Sequence, residues 1–122
     1  MTRTEVFFYR DARGHIPLLE WLNGLSSKAR AKCIARIDRL AELGNDLRRP
    51  EADHLRDGIY ELRASLQGIH YRVLYFFSGK AVVVLSHGLT KEREVPVRDI
   101  ELALERKNQV EAGFARYTFK PE

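Results

Sequence analysis

Between Ile59 and Ser86 the chain offers three runs dense in branched and aromatic residues: Ile59 to Ser65, Ile69 to Phe77 and Ala81 to Ser86. Only Leu66-Gln67-Gly68 and Ser78-Gly79-Lys80 separate them. A parallel neighbour needs a crossover of about a dozen residues or more, so connections this short turn each strand back on the last. The result is an antiparallel meander, and the rest of the chain has to cover it.

The flanks read as that cover. Glu5 to Tyr9 is a short aromatic strand, broken by Gly14. Pro17 opens a short helix, Leu18 to Asn23, because proline is tolerated at the first helical position, and Gly24 ends it. Ser26 or Ser27 caps a second helix that runs to about Leu43 and stops at Gly44. Its core stripe is Cys33, Ile37, Leu40 and Ala41. Lys28, Lys32, Arg36 and Arg39 run down another face, either as a solvated surface or as a docking face for RNA or an acidic partner. Asn45 to Asp53 reads as a polar loop, and Pro96 opens a last helix with Ile100, Ala103 and Leu104 on one face. The tail from Gly113 holds Phe114, Tyr117 and Phe119 without a clear period.

The order β-α-α-β-β-β-α predicts an α+β domain. Its sheet is small and antiparallel, the first strand plus the three-stranded meander. Two helices pack on one face, and a C-terminal helix follows. At 122 residues, one domain over 1–122 is expected. No apolar run approaches the ~18 residues of a membrane span, so no membrane partner is expected. The N-terminal Met1-Thr2-Arg3-Thr4-Glu5 lacks the layout of a secretory signal. The single Cys33 excludes an intrachain disulfide and a multi-cysteine metal cage, which favours a reducing, cytoplasmic setting.

Net charge is +4, from 21 Lys and Arg against 17 Asp and Glu, which permits a nucleic-acid or acidic-protein partner. Placement says more. Glu61 and Arg63 share one face of the first meander strand, opposite Tyr60, Leu62 and Ala64. Arg72 shares a face with His70, Leu74 and Phe76. Two readings of these arginines stand together: a salt bridge to Glu61 or another acid, or an anion site at an edge or concave face. His54 and His87 are the histidines placed for acid or base work, whereas His15 and His70 read as surface. Phosphate-binding loops, carboxylate clusters, zinc-ligand spacing and nucleophile elbows are all missing from the sequence. What remains is metal-free, cofactor-free electrostatic catalysis on a phosphodiester, with the RNA 2′-hydroxyl as nucleophile.

In its motifs, Gly58-Ile59-Tyr60-Glu61-Leu62-Arg63, Tyr71-Arg72-Val73-Leu74-Tyr75, His87-Gly88-Leu89-Thr90-Lys91 and Pro96-Val97-Arg98-Asp99-Ile100-Glu101-Leu102-Ala103, the chain resembles the RelE/ParE toxin superfamily. The phage-derived, HigB-like branch is the nearest, over Val6 to Lys107. The resemblance implies a type II toxin that enters the ribosomal A site and cleaves mRNA. It implies a cognate antitoxin, often a helix-turn-helix repressor, through which alone operator DNA is reached. It assigns catalytic roles to Arg63, Arg72 and Lys91. His54 matches a histidine that some HigB-like members use in the loop entering the meander. Arg48, Arg49, Arg56 and Arg93 join His54 as RNA-binding residues.

Two departures stand out. Glu92 follows Lys91 where the branch often has a second lysine, and Pro96 stands near where the ribosome-cutting RelE type has a tyrosine. His87 is the substitute proposed here for the missing acid/base group. Two other functions remain open beside the endoribonuclease: a ParE-type inhibitor of DNA gyrase, and a non-catalytic module that binds nucleic acid or an antitoxin.

Overall fold

The computed structural model describes residues 3–90 and 93–121. In chain order its elements are β1 (Glu5–Tyr9), α1 (Pro17–Asn23), α2 (Ser27–Leu43), β2 (Ala52–Arg56), β3 (Ile59–Leu66), β4 (Ile69–Phe77), β5 (Val82–Thr90), α3 (Val97–Ala112), α4 (Phe114–Tyr117) and β6 (Thr118–Phe119). Proline opens α1, and Ser26 caps α2 by accepting a hydrogen bond from the Ala29 amide at 3.3 Å. Both are the boundaries expected from sequence.

Tight turns dictate the sheet. Asp57-Gly58 joins β2 to β3 and Gln67-Gly68 joins β3 to β4, and all four residues have positive φ. Two consecutive left-handed residues are what a type I′ hairpin turn requires, and its twist suits the flanking strands. The strand order is β2-β3-β4-β5-β1-β6. The α+β class is as expected, but the sheet is larger and mixed. The expected Asn45–Asp53 loop ends in a strand, β2, so the meander has a further member. The first strand β1 pairs with β5 in parallel, because α1, α2 and the meander lie between the two in sequence. The aperiodic tail forms α4 and the short β6, which closes the sheet beside β1.

Both faces are covered. On one, Leu18, Leu22, Cys33, Ile37 and Leu40 of α1 and α2 pack on Leu62, Tyr71, Val73, Tyr75, Val83 and Leu85. On the other, Ala103 and Val110 of α3 pack on Ile59, Leu74, Phe76 and Val84. Strands covered twice read as nearly continuous apolar runs, which accounts for Val73 to Phe77. Half of the basic stripe on α2 is ion-paired rather than free. Arg36 lies 2.7 Å and Arg39 3.1 Å from the Glu51 carboxylate, and Arg36 also donates to the Arg63 carbonyl at 2.8 Å. Lys28 and Lys32 are exposed.

A bulge in β5 decides which way its polar residues point. Tyr75 pairs with Leu85 but Leu74 pairs with His87, leaving Ser86 as the extra residue. An added residue reverses the alternation beyond it. Val83 and Leu85 therefore face α1 and α2, whereas Leu89 joins the α3 side. The strand runs on to Thr90, so His87 sits inside it rather than at its end.

Candidate functional site

The α3 side of β2, β3 and β4 gathers Asp53, Glu61, Arg63 and Arg72. Arg63 and Arg72 are register partners on adjacent strands, and Glu61 lies two residues back from Arg63 on the same face. The Glu61 carboxylate, almost wholly buried, bonds Arg72 Nη1 at 2.5 Å through one oxygen and Arg63 Nη2 at 3.0 Å through the other. Arg63 Nη2 also lies 3.2 Å from Asp53 on β2, and Asp53 accepts Arg49 at 2.9 Å. Arg49, Asp53, Arg63, Glu61 and Arg72 thus form an alternating ionic chain across three strands. The Arg49 bond is the chief reason the Asp53 carboxyl is held below the usual range.

Both readings of the arginines meet here. They are salt-bridged to Glu61, and they also line an open cleft of about 450 Å³ whose wall includes Asp53, Arg93, Glu94 and Ile100. Among the described residues, Arg63 Nε and Arg72 Nε are buried without a protein partner. A buried donor left unmet costs about 1–3 kcal/mol, so the cluster is not fully satisfied by its own chain. An arriving phosphate has to compete with Glu61 for the guanidinium forks.

His87 points toward α3, as the bulge requires, but does not line that cleft. It is buried, with Nδ1 2.7 Å from Ser86 Oγ and Nε2 3.1 Å from Asp99 in the first turn of α3. Arg106 reaches the Ser86 carbonyl at 3.2 Å. Burial pushes the His87 pKa down, against the pull of Asp99. In this arrangement the imidazole ties β5 to α3, and it meets a substrate only if that helix end shifts.

The remaining expected residues lie elsewhere. His54 is exposed on β2 and faces the α2 side, opposite to Arg63 and Arg72; its Nε2 accepts from the Gly58 amide at 3.2 Å. It shares a second cleft of about 570 Å³ with Arg48, Arg49 and Tyr60. Arg56 is exposed beside Asp57 at 3.4 Å. Lys91 lies outside the described residues. The structure therefore brings Arg63, Arg72 and Arg93 together, ties Arg49 to them through Asp53, sets Arg48 and His54 apart in the second cleft, and holds His87 behind α3. No group of three or more His, Cys, Asp or Glu side chains able to hold a metal forms among the described residues.

Sequence reasoning took Glu61 only as a partner for the arginines and passed over Asp53 and Asp99. The signal for Asp53 was present: Asp57-Gly58 between two alternating runs marks a hairpin, and a hairpin there places Asp53 opposite Glu61.

A twisted sheet with helices on both faces and a charged cleft at one edge defines a small α+β protein built around a buried ionic network. Over residues 20–108 the sequence matches the family described as Phage derived protein Gp49-like (DUF891), and the chain belongs to it. This is a toxin-like family of toxin–antitoxin systems. The match runs from within α1 to near the end of α3, so it includes both clefts. No curated protein matches the chain. Among the described residues no helix is long and apolar enough to cross a membrane.

Proposed function

We propose that the chain is the toxin of a type II toxin–antitoxin pair, of the RelE/ParE superfamily and its HigB-like branch, and that it cleaves mRNA at the ribosome without a metal. The observation that carries this reading is the Glu61 carboxylate held between Arg63 and Arg72 at an open cleft. When the scissile phosphate takes the guanidinium forks, Glu61 is released from them and becomes the nearest base. It accepts the 2′-hydroxyl proton as O2′ attacks phosphorus. The P–O5′ bond breaks, giving a 2′,3′-cyclic phosphate and a 5′-hydroxyl. Arg63 and Arg72, with Lys91 and Arg93 from the β5–α3 connection, offset the charge that develops on the phosphoryl oxygens. One well-placed donor of this kind is worth on the order of 10²–10³ in rate. His87 can protonate the leaving oxygen only as the imidazolium, which requires that it be uncovered from Asp99 and from the burial that holds its pKa down.

The test is growth after induced expression of wild type beside Arg72→Ala, with mRNA 5′ ends mapped in the same cultures. New ends inside translated codons, lost with Arg72→Ala, are the expected result. Arrest without new ends overturns the ribonuclease reading and moves the target to a protein such as DNA gyrase. No arrest leaves the non-catalytic binding module.

A further inference from the structure

The cleft around His54 continues into a neighbour. A second opening of about 340 Å³ is lined by Gly58, Phe77, Lys80 and Lys107, and it shares Asn45 and Tyr60 with the first. Sharing those two residues, they make one furrow from the segment before β2, past the Asp57-Gly58 and Gly79-Lys80 turns, to Lys107 of α3.

Its lining differs from the Arg63 cluster in charge and in chemistry. Among the described residues, Arg48, Lys80 and Lys107 form no ion pair, and Asp53 is the one acid that lines either opening. Lys107 Nζ lies 3.5 Å from the Asp57 carbonyl and against the bare Cα of Gly58, where an added Cβ would come within 2.8 Å of it. Between these cations lies an aromatic floor. His54 meets Tyr60 edge-on at 4.9 Å, Tyr60 stacks on Tyr75 at 5.3 Å, and Phe77 meets Tyr60 edge-on at 5.5 Å. Tyr60 and Phe77 are half-buried, and His54 is exposed.

Unpaired cations alternating with rigid rings are what a single nucleic-acid strand requires. Phosphates follow the charges, and unstacked bases lie on the rings. An acidic peptide would use the cations and leave the rings idle, while a duplex keeps its bases out of reach. We propose that this furrow is a binding track for single-stranded RNA, distinct from the Arg63 and Arg72 cleft, with Asp53 the residue that lines both. RNA rather than DNA as the strand rests on the ribonuclease reading above; the track itself does not.

The probe is a fluorescein-labelled 2′-O-methyl oligouridylate 12-mer, which lacks the nucleophile and so cannot be cut. Binding to the full chain is followed by anisotropy between 50 and 200 mM salt. Lys80→Gln combined with Lys107→Gln is expected to weaken binding at least tenfold and to flatten the salt slope by about 1.4, since each single-strand phosphate contact contributes about 0.7. Tyr60→Leu is expected to weaken it about tenfold with the slope unchanged, through lost stacking. Lys28→Gln with Lys32→Gln removes the same charge from α2 and should change affinity less than twofold. Wild-type affinity in the Lys80 and Lys107 variant overturns the proposal, as does an equal loss in the Lys28 and Lys32 variant. Equal binding of a duplex, or equal competition by a poly-glutamate peptide, overturns the single-strand assignment. Because the probe is not cleaved, these outcomes are independent of whether expression produces new mRNA ends.

Discussion

Arg72 Nη1 lies 2.5 Å from Glu61 Oε1, and the two side chains are only 14% and 3% exposed. Removing one member of a buried pair leaves the other charge uncompensated, at a cost of about 3–5 kcal/mol. Glu61→Gln is therefore expected to lower the unfolding free energy by about 3 kcal/mol in urea. Glu61→Leu with Arg72→Met should recover most of that loss, and failure to recover it would mean that the pair stabilises the fold in its own right.

His87 makes stability depend on pH. Burial holds its folded-state pKa below the ordinary 6.5, so the unfolded chain binds the proton more readily. Stability is then fully present above about pH 6.5 and falls as pH drops through that value toward the folded pKa. Melting curves between pH 7.5 and 5.5 should show a fall in Tm that flattens in His87→Asn. Parallel profiles for the two proteins would remove His87 as the cause.

Gly88 faces α1, where a methyl group would overlap the Trp21 ring. Gly88→Ala forces the indole or β5 to move, and overpacking of this kind costs about 1–3 kcal/mol. Trp21 is the chain's one tryptophan, so its fluorescence reports on the event directly. A shifted emission maximum together with a lower urea midpoint is the expected pair of results.

Cys33 is buried in the α2 core, and burial pushes its thiol up from 9.0 to about 11. The thiolate is the reactive species, so two pKa units correspond to about a hundredfold less of it at pH 8. A disulfide reagent should label the native chain at least that much more slowly than the chain in urea. Rapid native labelling would show that α2 opens away from the sheet.

The site was legible to different depths. Period-two alternation was enough to put Glu61 with Arg63 on one face of their strand and Arg72 with Leu74 and Phe76 on one face of the next, because a strand offers its side chains only two sides. That the two faces coincide came from the register. Alternation could not choose between an ion pair and an anion site, since that depends on how the charges meet across strands. The structure contains both, a paired network beside an open cleft. His54 was expected in a loop entering the meander; it lies on β2 instead, where its register position opposite Tyr60 sends it to the face away from Arg63 and Arg72.

By itself, then, the sequence determined the local elements: where glycine and proline stop or start them, which residues share a helix stripe, and that the short turns impose a meander. These are decided by backbone sterics and by periods of two and 3.6, which act over a few residues. The tertiary structure decided the parallel entry of β1, the tail strand β6 and the burial of His87 against Asp99. Each of these joins residues distant in the chain. The orientation of His87 turns on a single unpaired residue, Ser86, whose effect exists only when β5 is laid against β4.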